Sequence, residues 1–350
     1  LYAENPSTPT APSATGTNSV AVGFGSTASN TESIAIGDST SSGLNSIAIG
    51  ENSTSSGNRS TSIGRNSFAG SADATAVGAY SIATTGSYAN AFGHHAYSYG
   101  QDATAVGRAY ASGTDSLAAA IANNTSSYGA TGDNSIAMGY QAKATGYNRR
   151  AMGYQAIASG SNSLCLSQES TASGSSSSVI GGLGNVADAT YSFATGQYAD
   201  TNGIFGKMSR ANGRFAATGD AQSGTFVLRS DTTDATAEPM TTANTPTSSL
   251  NITQIVVPSN AAFAFHGTIV AKQSGSANAA AWKVDGLIVN NGGTTTLTNS
   301  ATTVLSNTPS WGMALSADNT NNALAITVTG AAATNIRWVA TIHTSEVTYA

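Results

Sequence analysis

The stretch Ser33–Gly50, SIAIGDSTSSGLNSIAIG, decides the fold because it contains the same five residues twice. Ser-Ile-Ala-Ile-Gly fills positions 33–37 and returns at positions 46–50, with only one charged residue, Asp38, between the copies. Self-similarity at a fixed period is the signature of repeat architectures, whose units bury their apolar faces by stacking. The repeat length is therefore the length of one structural unit.

Related apolar pentads recur from about residue 19 to about residue 206, and most are 13 to 15 residues apart. Two wider gaps hold similar segments without the closing glycine, at 115–121 and 163–167. The closing glycines are Gly23, Gly37, Gly50, Gly64, Gly78, Gly93, Gly107, Gly139, Gly153, Gly181 and Gly196.

Each unit has two halves, and each half alternates with the period of a β-strand. The first half is Ser/Ala-Φ-Ala-Φ-Gly, where Φ is apolar, and the second alternates small residues, as in Ser67-Phe68-Ala69. Two short strands and two turns predict one coil of a β-solenoid. We expect the Φ side chains to point into the coil from one wall and Ser or Ala to point inward from the other.

The residue between the two Φ positions is then predicted to point outward, yet it is almost always small. A row of alanines on an outer face indicates that another backbone packs against it, which suggests solenoids arranged around a symmetry axis. The alternative is a general bias toward small residues in this chain. The predicted trimer-packing row is Ala21, Ala35, Ala48, Ala76, Ala91, Ala105, Ala137, Ala151 and Cys165.

Composition excludes several classes of protein. Only 9% of the 350 residues are charged, against roughly 25% in ordinary soluble domains, and the net charge is −5. Nucleic acid is excluded as a partner because it requires a positive face. No run of 18 apolar residues occurs, so membrane insertion is not expected. A single cysteine permits no intrachain disulfide.

The repeats resemble the head repeats of YadA-like trimeric adhesins over about residues 17–206. The motifs that carry the resemblance are NSVAVG (Asn18–Gly23), NSIAIG (Asn45–Gly50) and NSIAMG (Asn134–Gly139). The resemblance implies a homotrimeric, left-handed parallel β-roll with coils of about 14 residues, and a collagen- or cell-binding activity in bacterial members. No heptad stalk or membrane anchor is recognised in this sequence.

The last third has a different pattern. Residues 1–16 are predicted as an N-terminal extension, 17–206 as the head, 207–248 as a connector and 249–350 as a β-sandwich of jelly-roll type. Alternating segments such as AAFAFHGTIVAK, separated by turns, predict six to eight short strands. All three tryptophans lie here and are expected to pack in the core.

Aromatic residues are the best candidates for binding, because a flat apolar face with a polar tip suits contact with sugars or proteins. HHAYSYGQD supplies His94, His95, Tyr97 and Tyr99, and Tyr128 lies in an insertion at residues 123–134. The histidines are expected to be solvated turn residues, or alternatively to share a metal ion among three copies.

Tyr140 and Tyr154, one coil apart, are expected to stack on each other rather than to bind. The acid pairs Asp102/Asp115 and Asp188/Asp200 could neighbour each other on successive coils, as in glycan-cleaving sites, but solubilising turns are favoured. No Ser-His-Asp set, zinc spacing or P-loop is visible. We therefore expect no enzymatic activity, no catalytic residue, no metal and no cofactor.

The head-like repeats, the connector GRFAATGDAQSGTFVLR (Gly213–Arg229) and the C-terminal β domain together resemble tail-fibre and other virion proteins of bacteriophages. This resemblance implies a homotrimeric fibrous virion protein, a phage tail fibre or related appendage that attaches to the host cell surface. The expected partners are copies of itself, other virion proteins and a host surface receptor, glycan or protein. The expected location is the virion, outside the cell. Three alternatives are a bacterial cell-surface adhesin head, a purely structural virion decoration fibre and a glycan depolymerase.

Overall fold

The computed structural model describes residues 10–119, 127–244, 249–308 and 311–349. The chain divides into two compact units, Leu1–Leu166 and Ser167–Ala350. Both are built from β-strands, and the described residues contain one helix, α1 (Leu250–Thr253). No helix in the described ranges is long and apolar enough to cross a bilayer.

The first unit is a parallel β-solenoid, as predicted. Its strands alternate along the chain between two walls, and each pairs in parallel with the strand one coil away, so that Ala35 lies opposite Ala48 and Ile36 opposite Ile49. The odd-numbered strands form one wall: β1 (Ser13–Ala14), β3 (Thr27–Ala28), β5 (Ser39–Ser41), β7 (Ser53–Ser55), β9 (Phe68–Ala69), β11 (Ile82–Ala83), β13 (Tyr97–Ser98), β15 (Tyr110–Ala111), β17 (Gly129–Ala130), β19 (Lys143–Ala144) and β21 (Ile157–Ala158). The even-numbered strands form the other: β2 (Val20–Val22), β4 (Ile34–Ile36), β6 (Ile47–Ile49), β8 (Thr61–Ile63), β10 (Thr75–Val77), β12 (Asn90–Phe92), β14 (Thr104–Val106), β16 (Leu117–Ala119), β18 (Ile136–Met138), β20 (Arg150–Met152) and β22 (Leu164–Gln168), which ends two residues past this unit.

The predicted orientation of the even-numbered strands is wrong. The row expected to point outward faces the interior of the coil: Ala48 is 0% exposed, whereas Ile36 is 38% exposed. The physical reason is width, because a coil of about fourteen residues leaves space for only small side chains from both walls. The residues predicted to pack between copies therefore form an inward-facing row instead. Its members are Ala35, Ala48, Ala76, Ala91, Ala105, Ala137, Ala151 and Cys165, all fully buried, with Ala21 half-buried in the first full coil.

The interior of the solenoid is small and partly polar. Ser46 Oγ donates to the carbonyl of Gly43 at 2.7 Å and lies 2.6 Å from Ser41 Oγ. Such bonds satisfy hydroxyls that would otherwise be costly to bury. The coils also stack too closely for larger residues at the turn, since a Cβ on Gly64, whose φ is +131°, would lie 2.6 Å from the carbonyl oxygen of Gly78.

The second Φ residue of each coil was expected inside the coil but lies on the outside of the even-numbered wall. Together with Ala119, these residues form a continuous row. Each member lies opposite the next in the parallel register. All of them are half-buried or exposed, up to 43% for Val106. We call this row the outer apolar stripe: Val22, Ile36, Ile49, Ile63, Val77, Phe92, Val106, Ala119, Met138, Met152 and Leu166.

The second unit begins with further parallel strands and continues as two antiparallel sheets. The parallel strands are β23 (Thr171–Ala172), β24 (Ser178–Leu183), β25 (Val186–Ala187), β26 (Phe193–Gln197) and β27 (Met208–Asn212). The larger antiparallel sheet has the order β27, β28 (Ala221–Thr232), β36 (Ile336–Thr348), β31 (Ala261–Gln273), β32 (Ala279–Asn291) and β33 (Thr294–Thr308). The smaller sheet has β35 (Ala323–Thr329) paired with β29 (Ala237–Pro239), β30 (Ile255–Val256) and β34 (Gly312–Asp318).

The two antiparallel sheets enclose one large apolar core, which confirms the predicted core role of the tryptophans. Trp338 stacks on Trp282 at 5.6 Å between ring centroids and meets Trp311 edge-on at 5.8 Å. Its indole Nε1 donates to Thr232 Oγ1 at 2.9 Å, so the polar end of the ring is satisfied. The long strands differ from the short ones expected, because here a wide core rather than a narrow coil sets the strand length.

Candidate functional site

Aromatic rings gather on successive coils of the first unit. Tyr80 stacks on His95 with centroids 4.9 Å apart and planes inclined by 5°, and it meets His94 edge-on at 5.9 Å. His95 in turn lies 6.1 Å from Tyr97, with Nδ1 3.1 Å from the phenol oxygen. We call the set Tyr80, His94, His95, Tyr97, Tyr99 and Tyr110 the aromatic column.

The far end of the column is formed by tyrosines. Tyr97 contacts Tyr99 at 6.2 Å between centroids, and Tyr99 contacts Tyr110 at 5.4 Å. Tyr97 and Tyr110 also lie directly opposite each other in the parallel register of β13 and β15. The parallel register holds these rings in rows, which presents several aromatic faces along one side of the solenoid.

The near end of the column carries a positive charge. Arg65 Nη2 donates to the phenol oxygen of Tyr80 at 2.5 Å, and its guanidinium carbon lies 5.0 Å from the centre of that ring. A guanidinium over a tyrosine face is a favourable cation–π contact. The column therefore combines flat apolar faces, hydroxyl groups and an arginine.

Two members of the column adopt an unusual backbone. Tyr80 and His95 have φ of 58° and 55°, in the left-handed region that favours Gly, Asn and Asp. The corresponding position holds Asn52 and Asn66 in earlier coils and Gln141 in a later one. The left-handed turn therefore belongs to the repeat itself, and in these two coils an aromatic residue occupies it.

The titration of two groups is shifted by their surroundings. Partial burial, and then the charges of His94 and Arg108, hold the pKa of His95 below its ordinary value. Burial, and then Tyr110 and Tyr97, raise the pKa of Tyr99. Both rings are therefore favoured in their neutral forms, which suits stacking and hydrogen bonding.

The structure brings four of the five predicted binding residues together, namely His94, His95, Tyr97 and Tyr99. Tyr128 is half-buried just before β17, and the described ring contacts do not join it to the column. Residues 123–126 of the predicted insertion lie outside the described residues. The expected stacking of Tyr140 on Tyr154 is confirmed, at 5.1 Å and 10°. Arg65 was missed, although its distance of one coil from Tyr80 is visible in the sequence.

The acid pairs lie at turns or bind neighbouring residues. Asp102 and Asp115 are exposed turn residues, as favoured from the sequence. Asp188 accepts hydrogen bonds from Thr201 and from the backbone of Gly203. Within the described ranges, no three His, Cys, Asp or Glu side chains are grouped so as to hold a metal ion.

Comparison with known proteins identifies the repeat. A family model described as the YadA head domain repeat matches residues 14–40, 41–67, 130–148 and 151–164. The chain therefore carries YadA-like head repeats. No curated protein matches its sequence significantly.

A solved structure is similar to this chain: a tailspike protein from Acinetobacter baumannii bacteriophage Fri1, titled a capsular polysaccharide depolymerase. The identity is 9% and the TM-score 0.24, over 93% of this chain, and the chain spans 63% of the length of that structure. The expectation of no enzymatic activity is wrong by this comparison, because the tailspike is an enzyme. That exclusion is withdrawn, and a likeness at this TM-score assigns no catalytic residue here.

Proposed function

We propose that this chain is a homotrimeric attachment fibre of a phage virion, which binds a host surface through the aromatic column. The observation that carries the binding role is the column itself, a run of contacting rings with an arginine at one end. Aromatic and arginine side chains are enriched in binding hot spots. Three copies acting together would convert weak single contacts into firm attachment.

The outer apolar stripe supports self-association. Apolar side chains lie in line on successive coils and are open to solvent in the single chain. Contiguous apolar surfaces of this kind mark interaction sites. A second and a third copy of the same chain fit best, because only an identical solenoid matches a stripe that repeats once per coil along its whole length.

The receptor that suits the column is a surface glycan. Tyrosine and histidine faces stack on the apolar faces of sugar rings, while phenol and guanidinium groups donate hydrogen bonds to sugar oxygens. Other virion proteins remain proposed partners. The boundary between the head and the next segment at residue 206 is likewise part of this proposal, whereas the sandwich begins before residue 249, because β28 and β29 already belong to its two sheets.

The test is binding of the fluorescently labelled full chain to a panel of bacterial cells. The variant Tyr97→Ala/Tyr99→Ala removes two rings of the column, and Tyr140→Ala/Tyr154→Ala removes an equally stacked pair outside it. We expect the column variant to bind at least about tenfold more weakly, in line with hot-spot losses, and the control variant to bind like the wild type. Equal binding by wild type and column variant would remove the column from the proposal.

Two further observations decide between the wider alternatives. If the wild-type chain binds no cell of the panel, a structural decoration fibre becomes the better account. Cell-surface polysaccharide from any strain that is bound is then incubated with the chain and assayed for new reducing ends, since catalysis has not been excluded. Release of reducing ends would replace simple attachment by a depolymerase.

A further inference from the structure

A lysine and a glutamate meet inside the second unit, away from water. Lys207 Nζ lies 2.8 Å from Glu346 Oε2, and the two side chains are 0% and 1% exposed. Within the part of the chain that the structure describes, the other ion pairs lie at the surface, as Arg59 and Asp73 do. Burying a separated pair of charges is costly and often brings no net stability. Stability alone therefore does not explain why a lysine and a glutamate are buried together here.

The surroundings of the amine are aromatic. Nζ of Lys207 lies 5.6 Å from the centre of the Phe226 ring and 5.8 Å from that of Phe263, and both phenylalanines are fully buried. These two buried rings and the burial of the lysine itself keep water from the amine. A water-free site favours uncharged over charged species.

The carboxyl group of Glu346 is held by donors on both oxygens. Thr344 Oγ1 donates to Oε1 at 2.6 Å, and Gln222 Nε2 donates to Oε2 at 2.8 Å. Donors fixed on a carboxyl group stabilise the negative charge that develops when a nucleophile adds to its carbon. Lys207 Nζ is in contact with Oε2, and Oε2 is bonded directly to the carboxyl carbon Cδ. The amine nitrogen therefore lies close to the carbon atom that it would attack.

A half-buried acid, Asp200, is tied to this pair through its backbone. Gln222 joins it to the site, because its Nε2 donates to the carbonyl of Asp200 at 2.9 Å and its Oε1 accepts from the Asp200 amide at 2.8 Å. Burial is the largest cause that raises the pKa of Asp200, and the hydrogen bond from the Asn202 amide opposes it.

We propose that Lys207 and Glu346 form a covalent amide crosslink in the folded chain, with the nitrogen Nζ bonded to the carbon Cδ. The lone pair of the neutral amine adds to Cδ of the protonated carboxyl group, and the C–O bond to the hydroxyl then breaks. The hydroxyl leaves as water with one proton lost from Nζ. One C–N bond replaces one C–O bond, one water is released, and nothing is oxidised or reduced.

The crosslink would join two places that lie far apart in the sequence. Lys207 precedes β27, where the parallel strands end, and Glu346 lies in β36, the last strand of the larger sheet. Closing a loop of this length restricts the unfolded chain strongly. A fibre that holds a particle on a surface under load would then not lose its last strand by local unfolding.

The experiment is the intact mass of the purified, folded full chain, measured after denaturation. The wild type is expected to be lighter than its sequence mass by one water. Proteolysis and tandem mass spectrometry should then give one branched peptide that joins Lys207 to Glu346. A wild-type mass equal to the sequence mass would overturn the proposal, and so would a water lost at any other pair of residues.

Two variants sharpen the result. Lys207→Arg keeps a positive charge but provides no amine, so it should have its full sequence mass. Arg59→Lys places an amine beside Asp73 in a contact open to solvent, and it should show only the same single water loss as the wild type. A second water lost from Arg59→Lys would show that contact alone suffices, contrary to the role given to burial. The wild-type measurement stands even if Lys207→Arg fails to fold.

Discussion

The solenoid and the antiparallel sheets of this chain bury opposite kinds of side chain. The solenoid fills its narrow interior with alanine and serine and leaves isoleucine, valine and methionine on the outside. The antiparallel sheets of the second unit do the reverse and enclose tryptophan, phenylalanine and isoleucine between them. The comparison teaches that the width of the fold, rather than the hydrophobicity of a residue, decides which side chains face inward.

The largest effect is expected in the wide core. Trp338→Ala removes a ring that packs on two other tryptophans, and it leaves Thr232 without its indole donor. We expect a loss of about 3–5 kcal/mol in the free energy of unfolding, measured by urea denaturation and circular dichroism. Val339→Ala on the exposed side of the same strand should change it by no more than about 0.5 kcal/mol. Similar losses for both variants would contradict the assignment of this core.

The narrow core should respond to added volume rather than to lost volume. Ala48→Leu places three extra carbons in an interior lined by alanine and serine, and we expect a loss of about 1–3 kcal/mol in the free energy of unfolding. The control is Ile49→Leu, because residue 49 follows residue 48 in the chain and its side chain lies on the outer face. This variant should lower the free energy of unfolding by less than Ala48→Leu does. If Ala48→Leu is tolerated better than Ile49→Leu, the two faces of the strand have been assigned the wrong way round.

The aromatic column should separate stability from binding. Tyr80→Asn puts into the left-handed turn the residue that earlier coils carry at Asn52 and Asn66. Relief of about 1–2 kcal/mol of backbone strain should roughly offset the lost stacking on His95, so thermal stability should hardly change. Cell binding should fall. A variant that loses stability but binds normally would mark Tyr80 as structural only.

The smallest effect concerns pH. The pKa of His95 is held below its ordinary value of 6.5 in the folded chain, so the unfolded chain takes up the proton more readily. Stability should therefore fall as the pH drops from 6.5 through the lower folded value. His95→Gln, with a residue found in the turn of later coils, should show a weaker pH dependence in urea denaturation. An unchanged slope would mean that another group titrates.

The sequence predicted the solenoid and its period because each coil repeats its turn glycine and its apolar pentad. It could not decide which face of Ile34-Ala35-Ile36 points inward, since alternation is the same for either choice and only the wall-to-wall distance selects alanine. It located Tyr97 and Tyr99 but missed Arg65, whose partner Tyr80 is 15 residues away and becomes a neighbour only when coils stack. Lys207 and Glu346, 139 residues apart, carried no local signal at all.

The oligomeric mass of the chain in solution, measured by light scattering, tests most directly the claim that the outer apolar stripe joins three copies. The wild type should have three times the chain mass, Ile49→Glu on the stripe should have a smaller mass, and Thr54→Glu on the other wall should remain trimeric. A wild type that stays monomeric at micromolar concentration, or an Ile49→Glu variant with an unchanged mass, would contradict the account.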